Sequence, residues 1–102
     1  MDILIRIKRA VISGQYVFSD KAEVEMDRDD LTELDVVESI LTAAAIHKTV
    51  RSRSRSRQRA REKLYVIVST NLSGTLIYSK GKLVSKAGVD TYYFLVSSKK
   101  AL

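Results

Sequence analysis

Three apolar runs in the second half of the chain keep a two-residue beat, and the rest is read around them. Leu64–Thr70, Thr75–Val84 and Val89–Ser98 are rich in Val, Ile, Thr, Tyr and Phe, the residue types that suit a pleated, half-buried surface. Asn71-Leu-Ser-Gly74 and Ser85-Lys-Ala-Gly88 separate them, and glycine takes the positive φ that tight hairpins need. The pattern predicts a meander. Alternation then puts Leu76, Tyr78, Lys80, Lys82 and Val84 on one side of the middle strand, with Ile77, Ser79 and Leu83 on the other. One side therefore carries a phenol and two ammonium groups in a row. Gly81, between the two lysines, reads as easing the strand's twist rather than as a phosphate loop.

The first half keeps a helical beat. Ile3, Leu4, Ile7, Ala10 and Val11 form one stripe of a helix over residues 2–13, with Asp2 at its start and Gly14 just past its end. Ile5 and Ile12 fall near the opposite side; burial under a loop is the expected reason, cover by a partner the alternative. Gln15–Ser19 is a short extended stretch expected to bury Val17 or Phe18. Ser19 or Asp20 then caps a second helix that turns Ala22 and Met26 inward, and Thr32 with Asp35 opens a third, carrying Leu34, Val37, Ile40 and Leu41 on one side. Ala44–Val50 reads as the first strand of the sheet. The fold expected is α+β: a single domain over residues 1–102, with about three N-terminal helices packed on a mainly antiparallel sheet of about four strands.

Length and composition narrow this further. A chain of 102 residues without cysteine holds one core, with no disulfides and no thiolate metal site. No run approaches the ~18 apolar residues of a membrane span, and charge interrupts the N-terminus too early for a signal peptide. A soluble, cytoplasmic protein is expected. The net charge is +6, but nine of the twelve acidic side chains fall in residues 20–38, and thirteen of the eighteen basic ones in residues 39–102. Helix N-termini favour the acids electrostatically. The basic half presents a face for a polyanion.

Arg51, Arg53, Arg55, Arg57, Arg59 and Arg61 take every second position. In an extended chain this lines the guanidiniums along one edge about 6.6 to 6.8 Å apart, comparable to the phosphate repeat of an extended single strand. Arginine forks onto phosphate, and Lys63 and Lys82 add to the same RNA-binding set. The run also has nothing to bury, so residues 51–62 are expected to form a mobile loop that contacts RNA.

The basic half has one histidine, His47, and two carboxylates, a poor supply for a metal site or a nucleophilic triad. No metal and no cofactor is expected. The residues suit metal-free RNA cleavage, in which a 2′-OH attacks its own phosphate with the help of a base, cations and an acid. An amine crowded by other cations gives up its proton more readily, and a phenol orients or donates. The same set suits plain RNA binding.

Several short stretches in order, Ile7-Lys-Arg-Ala-Val11 with Ser13-Gly-Gln15, the passage through Asp30-Leu31, His47-Lys-Thr49, Ser73-Gly74 followed by Tyr78-Ser-Lys80, and Val96-Ser-Ser-Lys99, resemble the RelE-fold toxins. The resemblance is closest to the motility quorum-sensing regulator (MqsR) mRNA interferase family, with the small BrnT-like bacterial domains grouped with RelE and ParE toxins beside it. It implies a RelE-like fold and the toxin of a type II toxin–antitoxin system, a metal-independent endoribonuclease cleaving mRNA to 2′,3′-cyclic phosphate ends. By the same resemblance Lys48, Tyr78 and Lys99 stand where the family keeps residues needed for cleavage, with Lys80 beside them. Gln58 is the nearest counterpart of a glutamine the family also uses, and the Arg-Ser run has no counterpart there. The partners implied are mRNA and a cognate antitoxin of the zinc-ribbon and helix-turn-helix type. Two alternatives stand: a non-catalytic RNA- or antitoxin-binding module of the same fold, and an interaction protein working through the acidic segment and the spare face of the first helix.

Overall fold

A computed structural model describes residues 2–51 and 62–102. Helix α1 (Ile3–Ile12) starts where the Asp2 carboxylate accepts the Leu4 N–H at 2.7 Å, and it buries Leu4, Ile7, Ala10 and Val11. Ile5 and Ile12 are 47% and 72% exposed, so the loop cover expected for them is absent among the described residues. Among the described residues the helix is covered on one face only.

Strand β1 (Tyr16–Phe18) follows and lies parallel to the last strand, with Tyr16 opposite Tyr93 and Phe18 opposite Leu95. It makes the sheet five-stranded where about four strands were expected. Helix α2 (Asp20–Arg28) is capped by Ser19, whose Oγ accepts the Ala22 N–H at 3.0 Å, and it buries Ala22 and Met26. Helix α3 (Glu33–Thr42) opens with a capping box in which Thr32 and Asp35 each accept the other's backbone N–H. Its buried stripe is Val36, Ser39 and Ile40, with Val37 and Leu41 partly buried and Leu34 64% exposed. Leu34 lies two residues before Val36, roughly 200° round the helix, so its expected place on the stripe is corrected.

The remaining strands are β2 (Lys48–Arg51), β3 (Lys63–Thr70), β4 (Leu76–Lys86) and β5 (Val89–Lys100), in the spatial order β1-β5-β4-β3-β2. Every neighbouring pair except β1–β5 is antiparallel. The strand expected over 44–50 begins only at Lys48, although the His47 N–H already reaches the Val66 carbonyl at 2.8 Å. One side of the sheet packs Ile67, Ile77, Tyr93 and Leu95 against α1 and α3. Among the described residues no helix is long and apolar enough to cross a membrane.

Two irregularities shape β5. Lys80 pairs with Ser97 but Gly81 pairs with Leu95, leaving Val96 as an extra residue; Val84 pairs with Tyr92 but Ser85 with Asp90, leaving Thr91. Such bulges bend and twist the strand that carries them. At the first of them Tyr93 lies across Gly81, where a Cβ would come within 2.6 Å of the Tyr93 ring and 2.7 Å of the Phe94 carbonyl oxygen. Gly81 thus serves close approach between strands.

The β5 edge turned away from β4 is closed by two different devices. β1 pairs with residues 93–95, and the Ser19 N–H and Oγ then reach the Leu95 and Val96 carbonyls, both at 2.9 Å. Beyond this α2 stands in for a strand: Glu25 accepts the Ser98 N–H at 3.2 Å, and Asp29, one turn on, accepts the Lys100 N–H at 2.9 Å.

Two substitutions test these backbone readings with opposite signs. Gly81→Ala forces Tyr93 and a carbonyl out of place and is expected to destabilise by about 1–3 kcal/mol, a fall in Tm of roughly 4–8 °C per kcal/mol; an unchanged Tm would refute the close approach. The β4–β5 hairpin turns on Ala87 at φ 53° and Gly88 at φ 79°, the two positive values of a type I′ turn. Because Ala is strained there by about 1–2 kcal/mol, Ala87→Asn is expected to raise the denaturation midpoint, and a lowered midpoint would contradict this turn geometry.

Candidate nucleic-acid interface

The side of the sheet turned away from α1 and α3 is built by register. Lys48, Val66, Lys80 and Ser97 lie opposite one another in a row across four strands, and Val68, Tyr78 and Lys99 form the next row. Lys48, Tyr78 and Lys80, together with Arg51, line one cavity of about 350 Å³ floored by Val66 and Leu64. Lys99 stands beside it with its Nζ 5.3 Å from the centre of the Tyr78 ring, a cation–π distance. The four residues singled out from the sequence for cleavage therefore share one side of the sheet, three of them around a single cavity.

The Lys99 amine is also held from the sheet edge. Glu25, only 7% exposed, has its Oε2 4.0 Å from Lys99 Nζ, while its Oε1 accepts the Ser97 hydroxyl at 2.7 Å. A carboxylate buried this far needs donors around it, and β5 supplies the Ser97 hydroxyl, the Ser98 N–H and the Lys99 amine. Nothing in the sequence pointed to Glu25, since a charge inside an acidic helix looks like surface. Only the bulge at Val96 and the end of β1 bring it to the site.

Lys63 and Lys82 belong to a second cavity, of about 650 Å³, where β3 and β4 part. Their ladder ends at Tyr65↔Gly81, yet β4 runs on to Lys86. Lys82 Nζ pairs with Glu62 at 3.0 Å and stands 5.7 Å from the Phe94 ring centre. Tyr65, Tyr92 and Phe94 supply aromatic wall, and Arg6 reaches in from α1. The guanidinium of Arg6 forks onto Asp90 at 2.7 and 2.8 Å, and Ser85 Oγ donates to the same carboxylate at 2.9 Å. Arg6, and then Ser85, hold the Asp90 carboxyl down at about 2.

Of the expected arginine grip, Arg51 lines the first cavity; Arg53, Arg55, Arg57, Arg59 and Arg61, with the loop expected over 51–62 apart from its two ends, lie outside the described residues. His47 is exposed at the start of β2. Among the described residues no three His, Cys, Asp or Glu side chains gather as a metal site would require. What the arrangement offers is a cationic sheet face with a phenol at one cavity and aromatic rings at the next. No protein-family model, curated protein or solved structure matches the chain.

The Arg6–Asp90 clamp has a pH signature. A carboxyl whose folded value lies at about 2, against an ordinary ~3.9 unfolded, contributes stability that is complete above the unfolded value and lost as pH falls toward the folded one. Between pH 5 and pH 2.5 the wild-type Tm should fall more steeply than that of Asp90→Asn. Parallel curves would contradict the clamp.

Proposed function

We propose that this face binds single-stranded regions of mRNA and cleaves them without a metal, as the toxin of a type II toxin–antitoxin system acting in the cytoplasm. The observation that carries the reading is the convergence of Lys48, Tyr78 and Lys80 on one cavity, with Lys99 stacked on Tyr78. It is supported by the ordered motifs that resemble the MqsR family. In the reaction the 2′-oxygen attacks phosphorus, its proton passing to a base, and the 5′-oxygen leaves with a proton from an acid, giving 2′,3′-cyclic phosphate and 5′-OH ends. Lysine and tyrosine are both capable of these transfers, and the remaining ammonium groups stabilise charge gathering on the phosphate oxygens. An antitoxin of the zinc-ribbon and helix-turn-helix type is the regulating partner in this reading.

Purified protein incubated with a long RNA in EDTA is expected to shorten it and leave 2′,3′-cyclic phosphate ends. Tyr78→Phe or Lys80→Ala should slow cleavage by about 10²–10⁴-fold, the usual contribution of a positioned acid or base. Intact RNA with folded protein would refute cleavage. Binding that persists, weakening with salt at a log–log slope of about −0.7 per phosphate neutralised, would then leave a non-catalytic RNA-binding module.

A further inference from the structure

We propose that the cavity where β3 and β4 part is a base-binding subsite that takes one unstacked guanine of the RNA, an inference that rests on the RNA reading of the neighbouring face. Its size, about 650 Å³, falls in the range of sites that enclose small organic ligands, and its walls combine the two things a nucleobase requires. Tyr92 and Phe94 stand opposite Val84 and Lys82 on the same side of the sheet as Lys80, with Tyr65 also in the lining. Aromatic rings are stacking surfaces for bases splayed out of a single strand.

The polar groups select among bases. Glu62 and Lys82 sit side by side at 3.0 Å, close to the Phe94 ring. Guanine alone presents two adjacent donors, N1–H and N2–H, next to an acceptor, O6, along its Watson–Crick edge. A carboxylate accepts the two donors as a fork and the neighbouring ammonium donates to O6. Adenine, cytosine and uracil offer the carboxylate one donor at most on a ring edge of that shape.

Spacing connects the subsite to the first cavity. Lys80 lines one cavity and Lys82 the other, and residues two apart on a strand are roughly 6.6–6.8 Å apart. That is about one phosphate step of an extended strand. A nucleotide whose phosphate lies at Lys80 therefore has an adjacent base within reach of Lys82, Phe94 and Tyr92. The subsite reads sequence next to the place where the backbone is held.

The test uses the full chain and oligouridylates carrying 2′-O-methyl groups, which lack the attacking hydroxyl and cannot be cleaved, with one central position varied among G, A, C and U. Fluorescence anisotropy is expected to show the guanosine-containing strand bound most tightly. Phe94→Leu or Tyr92→Leu should weaken that strand roughly 5- to 150-fold, and Glu62→Gln should abolish the preference for guanosine while leaving the all-uridine strand bound as before. Melting curves confirm that each variant is folded, and Glu62→Gln removes no apolar packing. Equal affinity for all four strands, or a guanosine preference unmoved by these substitutions, overturns the subsite and leaves RNA binding intact. Failure to bind any strand overturns the RNA reading itself, and the subsite with it.

Discussion

Strand β5 has two edges to satisfy over its twelve residues, and the second is the constraint on which the molecule turns. β4 pairs with the first along its length. An exposed second edge would be a template for another chain, and β1 is long enough to protect only three residues of it. The chain resolves this by leaving β1 at Ser19 and running α2 beside the remainder, with Glu25 and Asp29 aimed at the Ser98 and Lys100 N–H groups. Hydrogen bonds from Arg28 and from the Lys100 N–H keep the Asp29 carboxyl below its ordinary range. Further on, Asp35 accepts from Asn71 at 3.0 Å and Glu38 from the Leu72 N–H at 2.9 Å, fastening the β3–β4 turn to α3. Four carboxylates of the acidic segment are thus turned onto the chain's own sheet.

This explains which parts of the fold were legible. Capping residues mark helix starts chemically, so Asp2, Ser19 and Thr32 show in the sequence where α1, α2 and α3 begin. The long strands announce themselves by composition. β1 falls within the stretch Gln15–Ser19 read as extended, but three residues are too few to show that it joins the sheet, and its partner lies 77 positions away at Tyr93–Leu95. Leu34 misled for a different reason: in a helix of ten residues several apolar stripes overlap, and the one that faces inward is Val36 and Ile40, with Val37 and Leu41 at its margin.

The candidate site divides in the same way. β4 alternates without interruption, so Tyr78, Lys80 and Lys82 could be placed together from spacing alone. β5 could not be read so. Counting back from Lys99 by twos gives Ser97, Leu95 and Tyr93, yet Leu95 and Tyr93 are buried in the core. The extra residue at Val96 changes the phase, so Phe94 and Tyr92 come to the face of Lys99. Without the bulge Phe94 and Tyr92 would turn to the helix side of the sheet, and Leu95 and Tyr93 would take their places on the face of Lys99. Gly81 sits at the same level, and the nesting of Tyr93 over it lets the core ring cross where the phase changes.

Bulge, glycine and edge cap therefore act together on one face of the sheet. Two lysines of that face, on neighbouring strands, are each tied by a carboxylate: Lys99 to Glu25 at 4.0 Å, Lys82 to Glu62 at 3.0 Å. A lysine so tethered is positioned in advance, which lowers the ordering cost of any contact it makes. Lys48 and Arg51 of the edge strand line the neighbouring cavity with Tyr78 and Lys80, and Lys99 stands against the same ring, so positive charge from three strands is gathered around one phenol.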